Sequence, residues 1–460
     1  MKKFIISFSL FAAALFAQAA DAPKYIFYFI GDGMGLGHVL AAQTYWRQHV
    51  DAQNPLPMFQ FPIIHPCTSH SFSNTITDSA AAGSALSTGV KTRNGMLGVD
   101  SDTIPTQSVA AHLKELGYGV AIASSVPIDD ATPGAFYAHV ASRKMFTQIG
   151  LDMAKSQYDI FAGGALRGLK DSKGNDTGLE KALIDAGYSI AYGPKEFENV
   201  KDRNKLILLS TEKTLNIGFT IDSIKNALTL PYITKACIDH VMRVSPDKFF
   251  IMIEGGNIDW AAHSNDGATV IKEIVNFSQC IQQALDFYNQ HPDETLIIVT
   301  ADHNTGGMSM GTYEGPHYEV NFKNVEHQKI SAEEFQKVCS QWQKRENPIT
   351  WEEVKEFLSQ NLGFYSKIQL TDAENEQLQK IHNDLFNLHQ TSDTKTLYST
   401  FSSFTSKALK IFQNHAGIGW TTYSHCGDYV PFFAIGKGSE NFKGHIDNTD
   451  IPIILKRITK

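Results

Sequence analysis

Seven short stretches of this chain are apolar without a polar interruption: residues 25–30, 120–123, 160–162, 206–209, 249–253, 296–299 and 430–435. A strand with one face in water alternates apolar and polar residues, whereas a strand covered on both faces has no such constraint. Continuous runs separated by helix-like segments, as at 37–49, 131–141 and 268–288, therefore predict α/β architecture. The expected fold is a predominantly parallel central sheet with helices on both faces. At 460 residues, 42% of them hydrophobic and 19% charged, the chain can bury a large core and is not a disordered polymer.

The N-terminus has a different pattern. Lys2 and Lys3 precede an apolar run over residues 4–15 and the small-residue sequence Ala17, Gln18, Ala19. This reads as a signal peptide over 1–19, too short in its apolar part to span a bilayer. The mature protein is expected to be periplasmic or secreted, with no membrane anchor. A formal net charge of −8 argues against nucleic-acid duplexes as partners. Five cysteines (Cys67, Cys237, Cys280, Cys339, Cys426) are scattered, and their odd number leaves at least one unpaired in the chain. Residues 331–414 carry three helix-opening patterns, Ser331 with Glu334, Thr350 with Glu353 and Thr371 with Glu374. They predict a mostly helical insertion in a single domain over 20–460, suited either to cap the sheet or to form an oligomer surface.

In an open parallel sheet, ligands bind beyond the carboxyl ends of the strands. The run 25–30 is followed by Gly31-Asp32-Gly33-Met34-Gly35, the run 249–253 by Glu254 and then Asp259, and the run 296–299 by Asp302-His303. An imidazole beside a carboxylate at a strand end suits Zn²⁺. Asp259 and His263 stand four apart, on one face of a helical turn. Taken singly, each of these acids could instead be a helix cap or turn residue. The Gly-rich string 31–35 lacks the GxGxxG spacing of a dinucleotide site.

A second candidate segment is Thr77-Asp78-Ser79-Ala80-Ala81-Ala82-Gly83. Small residues allow close backbone approach, and a helix from Ala80 would put Ser79 at its N-terminus, where free N–H groups favour an anion. The competing reading is a tightly packed helix with Ser79 as its cap. No GxSxG elbow is present, so a nucleophilic serine here would need activation by metal.

Together these residues resemble the bacterial alkaline phosphatases of the metal-dependent alkaline phosphatase superfamily. The resemblance spans nearly the whole mature chain. It rests on residues 31–35, 77–81, 87–92, 130–133, 138–143, 254–263, 300–303 and His425. It implies an alkaline phosphatase-like fold and hydrolysis of small-molecule phosphomonoesters through a phosphoserine at Ser79. It also implies two zinc ions and one magnesium ion. Asp32, Asp302 and His303 would hold one zinc with the Ser79 oxygen, and Asp259, His263 and His425 the other. Asp32, Thr132 and Glu254 would supply an all-oxygen shell for magnesium.

Arg143 would clamp the phosphoryl group with paired hydrogen bonds. Asp130 and Trp260 would lie around the metal ligands, Asp130 reaching magnesium through water. The enterobacterial relatives have Lys where this chain has Trp260, and many other members have His where it has Asp130. The Cys426 thiol, next to His425, is set aside as a ligand because adjacent side chains rarely converge on one ion. The alternatives within the superfamily are a phosphodiesterase, which usually has Thr as nucleophile, and a sulfatase, which needs a CxPxR-type residue. Outside catalysis, the alternative is an inactive periplasmic metal- or phosphate-binding protein. A homo-oligomer is an open expectation.

Overall fold

The computed structural model describes residues 22–211, 215–223, 228–315, 318–388, 393–397 and 400–460. The signal-peptide expectation over 1–19 lies outside the described residues. No helix among the described residues is long and apolar enough to cross a membrane.

The centre is a ten-stranded sheet. Its strands are β1 (Tyr25–Gly31), β2 (Ile63–Thr68), β3 (Gly119–Ser124), β4 (Ile160–Gly163), β5 (Ser189–Tyr192), β6 (Leu206–Leu209), β7 (Phe249–Glu254), β8 (Thr295–Ala301), β9 (Val430–Gly436) and β10 (Ile446–Asp447). The order across it is β10-β2-β9-β8-β1-β7-β3-β4-β6-β5. All seven apolar runs are strands, and β1, β3, β7 and β8 are buried along their whole length. From β8 to β5 every pairing is parallel. β9 is antiparallel to both β2 and β8, a direction that its apolar composition does not reveal.

Helices cover the sheet: α1 (Leu36–His49), α2 (Ser79–Thr88), α3 (Ala131–Gly134), α4 (Asn257–His263) and the long α5 (Gly267–Gln290). The helix expected over 131–141 stops at Gly134. Beyond it, Leu97 and Val140 exchange backbone hydrogen bonds of 2.9 Å, and the Arg143 amide donates to the Gly95 carbonyl at 2.7 Å. Backbone pairing with 95–97 thus competes successfully with helix propagation, and it fixes the chain position of Arg143.

Within 331–414 lie α6 (Ala332–Trp342), α7 (Trp351–Leu362), α8 (Asp372–His382), a small hairpin and α9 (Ser403–Ala416). Thr350 with Glu353 and Thr371 with Glu374 form reciprocal capping boxes. Ser331 caps α6 through its hydroxyl, but its own amide goes to Asp222 at 2.7 Å, and Glu334 pairs with Lys337 instead. All five cysteines are free thiols.

Candidate active site

The register of the sheet aligns the acids. Gly31 of β1 is opposite Ala301 of β8, so Asp32 and Asp302 leave adjacent strands at the same level. Ile30 is opposite Glu254 at the end of β7, whose other neighbour is Ser124 of β3. The Ser124 hydroxyl donates to Glu254. Gly33 is needed for its left-handed backbone (φ +69°) and because a Cβ there would come within 2.8 Å of both Asp259 Oδ1 and Thr305 Oγ1. Its amide donates to Asp302 Oδ1 at 3.0 Å.

Two groups of ligand atoms result. In one, Asp32, Asp302 and His303 bring their atoms within 4.8 Å of one another; in the other, Asp259, His263 and His425 do the same. Ring stacking of His303 on His425, with centroids 3.7 Å apart, sets the two groups side by side. Each imidazole is turned by a hydrogen bond from Nδ1. His263 donates to the Tyr423 carbonyl (2.6 Å), His425 to the Thr77 carbonyl (2.8 Å) and His303 to the Thr305 hydroxyl (3.2 Å). The Thr305 hydroxyl in turn donates to Asp259 Oδ1 at 2.5 Å. All three Nε2 lone pairs then face inward, and those of His263 and His425 lie 3.1 Å apart, a repulsive arrangement unless a cation sits between them.

Ser79 is the first residue of α2 and is buried. Asp78, not Ser79, caps the helix, accepting from the Ala81 amide at 3.0 Å. That leaves the Ser79 hydroxyl free of capping, 3.2 Å from His303 Nε2. Gly83 one turn on would place a Cβ 3.2 Å from Thr132 Cα, so the small residue lets α2 lie against α3. Arg143 donates from its two terminal nitrogens to Asp78 Oδ2 (3.3 Å) and Asp130 Oδ1 (3.1 Å). Trp260, on α4, is buried beside this cluster, under the guanidinium of Arg167.

The electrostatics call for cations. Burial first, then the charges of Asp302, Asp259 and Glu254, pushes the Asp32 carboxyl well above the usual carboxylate range. Burial raises Glu254 and Asp302 as well. Burial and the neighbouring His425 and His263 hold His303 well below its ordinary value, so it is neutral with a lone pair to offer. Asp32 Oδ1, Asp302 Oδ2, Asp259 Oδ2 and Thr132 Oγ1 are buried and have no hydrogen-bond partner among the described residues. Orphaned oxygens of this kind are costly in an interior, and the donor set fits divalent metals: imidazole with carboxylate in two groups, oxygens alone around Thr132 and Glu254. The sequence reading missed Thr305 and Ser124, whose roles depend on neighbours distant in the chain.

A family model for alkaline phosphatase matches residues 23–460. The chain is 30% identical to alkaline phosphatase 4 of Bacillus subtilis over 477 aligned residues, covering 99% of this chain and 95% of that protein. Among solved structures, a cold-active alkaline phosphatase from the psychrophile Shewanella sp. superposes with a TM-score of 0.79 at 26% identity, covering 95% of this chain and all of that one. A variant of TAB5 alkaline phosphatase with Mg bound has the same fold, with a TM-score of 0.66, 24% identity, and coverage of 95% and 98%. The chain belongs to the alkaline phosphatase family of phosphoric monoester hydrolases.

Proposed function

We propose that this chain cleaves phosphate monoesters to an alcohol and inorganic phosphate through a covalent phosphoserine at Ser79. What supports the reading is the convergence of two imidazole–carboxylate groups on one buried serine whose hydroxyl is not used as a cap. Asp32, Asp302 and His303 would hold one zinc with the Ser79 oxygen, Asp259, His263 and His425 a second, and Asp32, Thr132 and Glu254 a magnesium. Bound there, the metals supply Lewis acidity for the serine and water oxygens and for the departing alkoxide.

His303 is too weak a base in this setting to keep a proton taken from Ser79. Its part is to hold its lone pair, through Thr305, on the side where Ser79 lies. Ser79 Oγ, its proton released to solvent, forms a bond to phosphorus as the ester P–O bond breaks, and the departing alkoxide takes a proton from water. A second water oxygen then displaces Ser79 Oγ from phosphorus, one of its protons returns to Ser79, and inorganic phosphate leaves. Arg143, steadied by Asp78 and Asp130, turns its guanidinium to the non-bridging oxygens, whose charge grows in the transition state. The N-terminal 1–19 pattern supports a periplasmic or extracellular location for this activity.

The test compares p-nitrophenyl phosphate, bis(p-nitrophenyl) phosphate and p-nitrophenyl sulfate before and after chelation. The monoester should be hydrolysed fastest, activity should vanish with the metals, and acid quenching should trap phosphate on the peptide containing Ser79. Equal monoester and diester rates would make the chain a phosphodiesterase. Label on any other residue, or no turnover by the metal-loaded protein, defeats the reading.

A further inference from the structure

Arg167 lies in a short 3-10 turn just past β4, in a segment to which the sequence reading gave no role. Its guanidinium approaches Asp130 Oδ2 at 3.2 Å, while Arg143 and the Ala131 amide occupy Oδ1 at 3.1 and 2.8 Å. One carboxylate, 5% exposed, is therefore shared by two arginines. The turn is pinned to the same loop a second time: the amides of Arg167 and Gly168 donate to Asp129 at 3.0 and 2.7 Å. The guanidinium lies 5.1 Å from the Phe146 ring centre and 5.8 Å from that of Trp260, two faces that attract a cation. Its Nε–H is buried without an acceptor among the described residues, a cost that simple packing would avoid.

We infer that Arg167 is a positioning residue that balances the charge of Asp130, so that the Arg143 charge remains available to a phosphoryl group and to the phosphate product. Without it, Arg143 would face Asp78 and Asp130 as the one guanidinium against two carboxylates, and the surroundings of an incoming dianion would be one charge more negative. The inference rests on the proposed phosphatase reading, and it assigns to Arg167 an effect on phosphate affinity exerted through Asp130.

The experiment uses metal-loaded protein, inorganic phosphate as the calorimetric ligand and p-nitrophenyl phosphate as substrate. Arg167→Met keeps the apolar stem between Phe146 and Trp260 and removes the charge. It should raise the phosphate Kd and the KM together by roughly tenfold, with kcat changed less and metal content unaltered. Arg167→Lys, which retains the charge, should stay within about threefold of wild type. In an Asp130→Asn background, Arg167→Met should shift the phosphate Kd by less than about twofold, since no anion remains to be balanced.

Wild-type affinity in Arg167→Met, or an equal loss in the Asp130→Asn background, overturns the inference. Should Arg167→Met fail to fold, Arg167→Gln, which also removes the charge, carries the test, its roughly tenfold loss again being expected to shrink below about twofold when Asp130 is Asn. A wild-type protein that neither binds phosphate nor turns over substrate would instead refute the phosphatase reading itself.

Discussion

Replacing Thr305 by valine keeps the shape of the side chain and removes a hydroxyl that touches one residue of each imidazole–carboxylate group. Thr305 is fully buried, so no water takes the hydroxyl's place without rearrangement. Two bonds disappear: the 2.5 Å donation to Asp259 and the 3.2 Å acceptance from His303. A hydrogen bond to a charged group contributes about 1.5–3 kcal/mol and a neutral one about 0.5–1.5 kcal/mol. Because the two share one oxygen they will not add fully, and a loss of about 1.5–3 kcal/mol is expected, equivalent to roughly 10- to 100-fold in metal affinity. His303 is also freed to place its proton on Nε2, which would withdraw the lone pair from the site. Dialysis against graded chelator, read by elemental analysis, should show both zinc-type positions of Thr305→Val emptying at roughly 10- to 100-fold less chelator than wild type. Thr305→Ser, which keeps the hydroxyl, should recover most of the difference. If Thr305→Val retains both ions as tightly as wild type, the hydroxyl does not orient the ligands.

Glu254→Ala should lower the divalent ions per chain from about three to about two, leaving the imidazole-containing positions filled and slowing turnover; loss of all ions in elemental analysis would contradict separate sites. Arg143→Ala should narrow the preference for phenyl phosphate over a matched phenyl diester by roughly tenfold or more in kcat/KM, because its charge-assisted bonds serve the doubly charged ester more. Glu273 of α5 is raised to about 7 by burial, so the stability it contributes is complete below about pH 4.5 and is lost as pH rises through 7. Glu273→Gln removes that dependence, and its melting temperature should gain on wild type between pH 5 and pH 8, by the equivalent of about 3 kcal/mol at most; an unchanged difference across that range would show that Glu273 is not held in this way.

The buried strands were legible because burial on both faces leaves no choice of residue. β2 was not: Ile64, Pro66 and their neighbours alternate in exposure, and a proline is tolerated there. β5, at the sheet edge, is half-buried and lacked an apolar run for the same reason. Asp32, Glu254 and Asp302 could be expected at one rim from strand ends alone. Nothing local marked His425, which became a candidate only through family resemblance. The helix from Ala131 was overextended because the backbone partners of Val140 and Arg143 lie some 40 residues earlier. Thr305, Ser124 and Arg167 are ordinary residues in sequence; each acquires a role from a partner that only the folded chain brings near.

The place of β9 between β8 and β2 has a temporal consequence. His425 enters the site immediately before this strand, and its ring is held by Thr77, almost 350 residues earlier. A nascent chain that has not yet reached residue 425 can hold Asp259 and His263 but not His425, and without β9 its sheet lacks the strand that joins β2 to β8. If, as proposed, these three residues hold a metal, its capture must follow synthesis of residue 425. On that reading, hydrolytic competence becomes a late event in the life of each molecule, coincident with insertion of one strand. On the proposed reading, a chain terminated short of residue 425 would be inert for want of a ligand, whatever its remaining strands achieve.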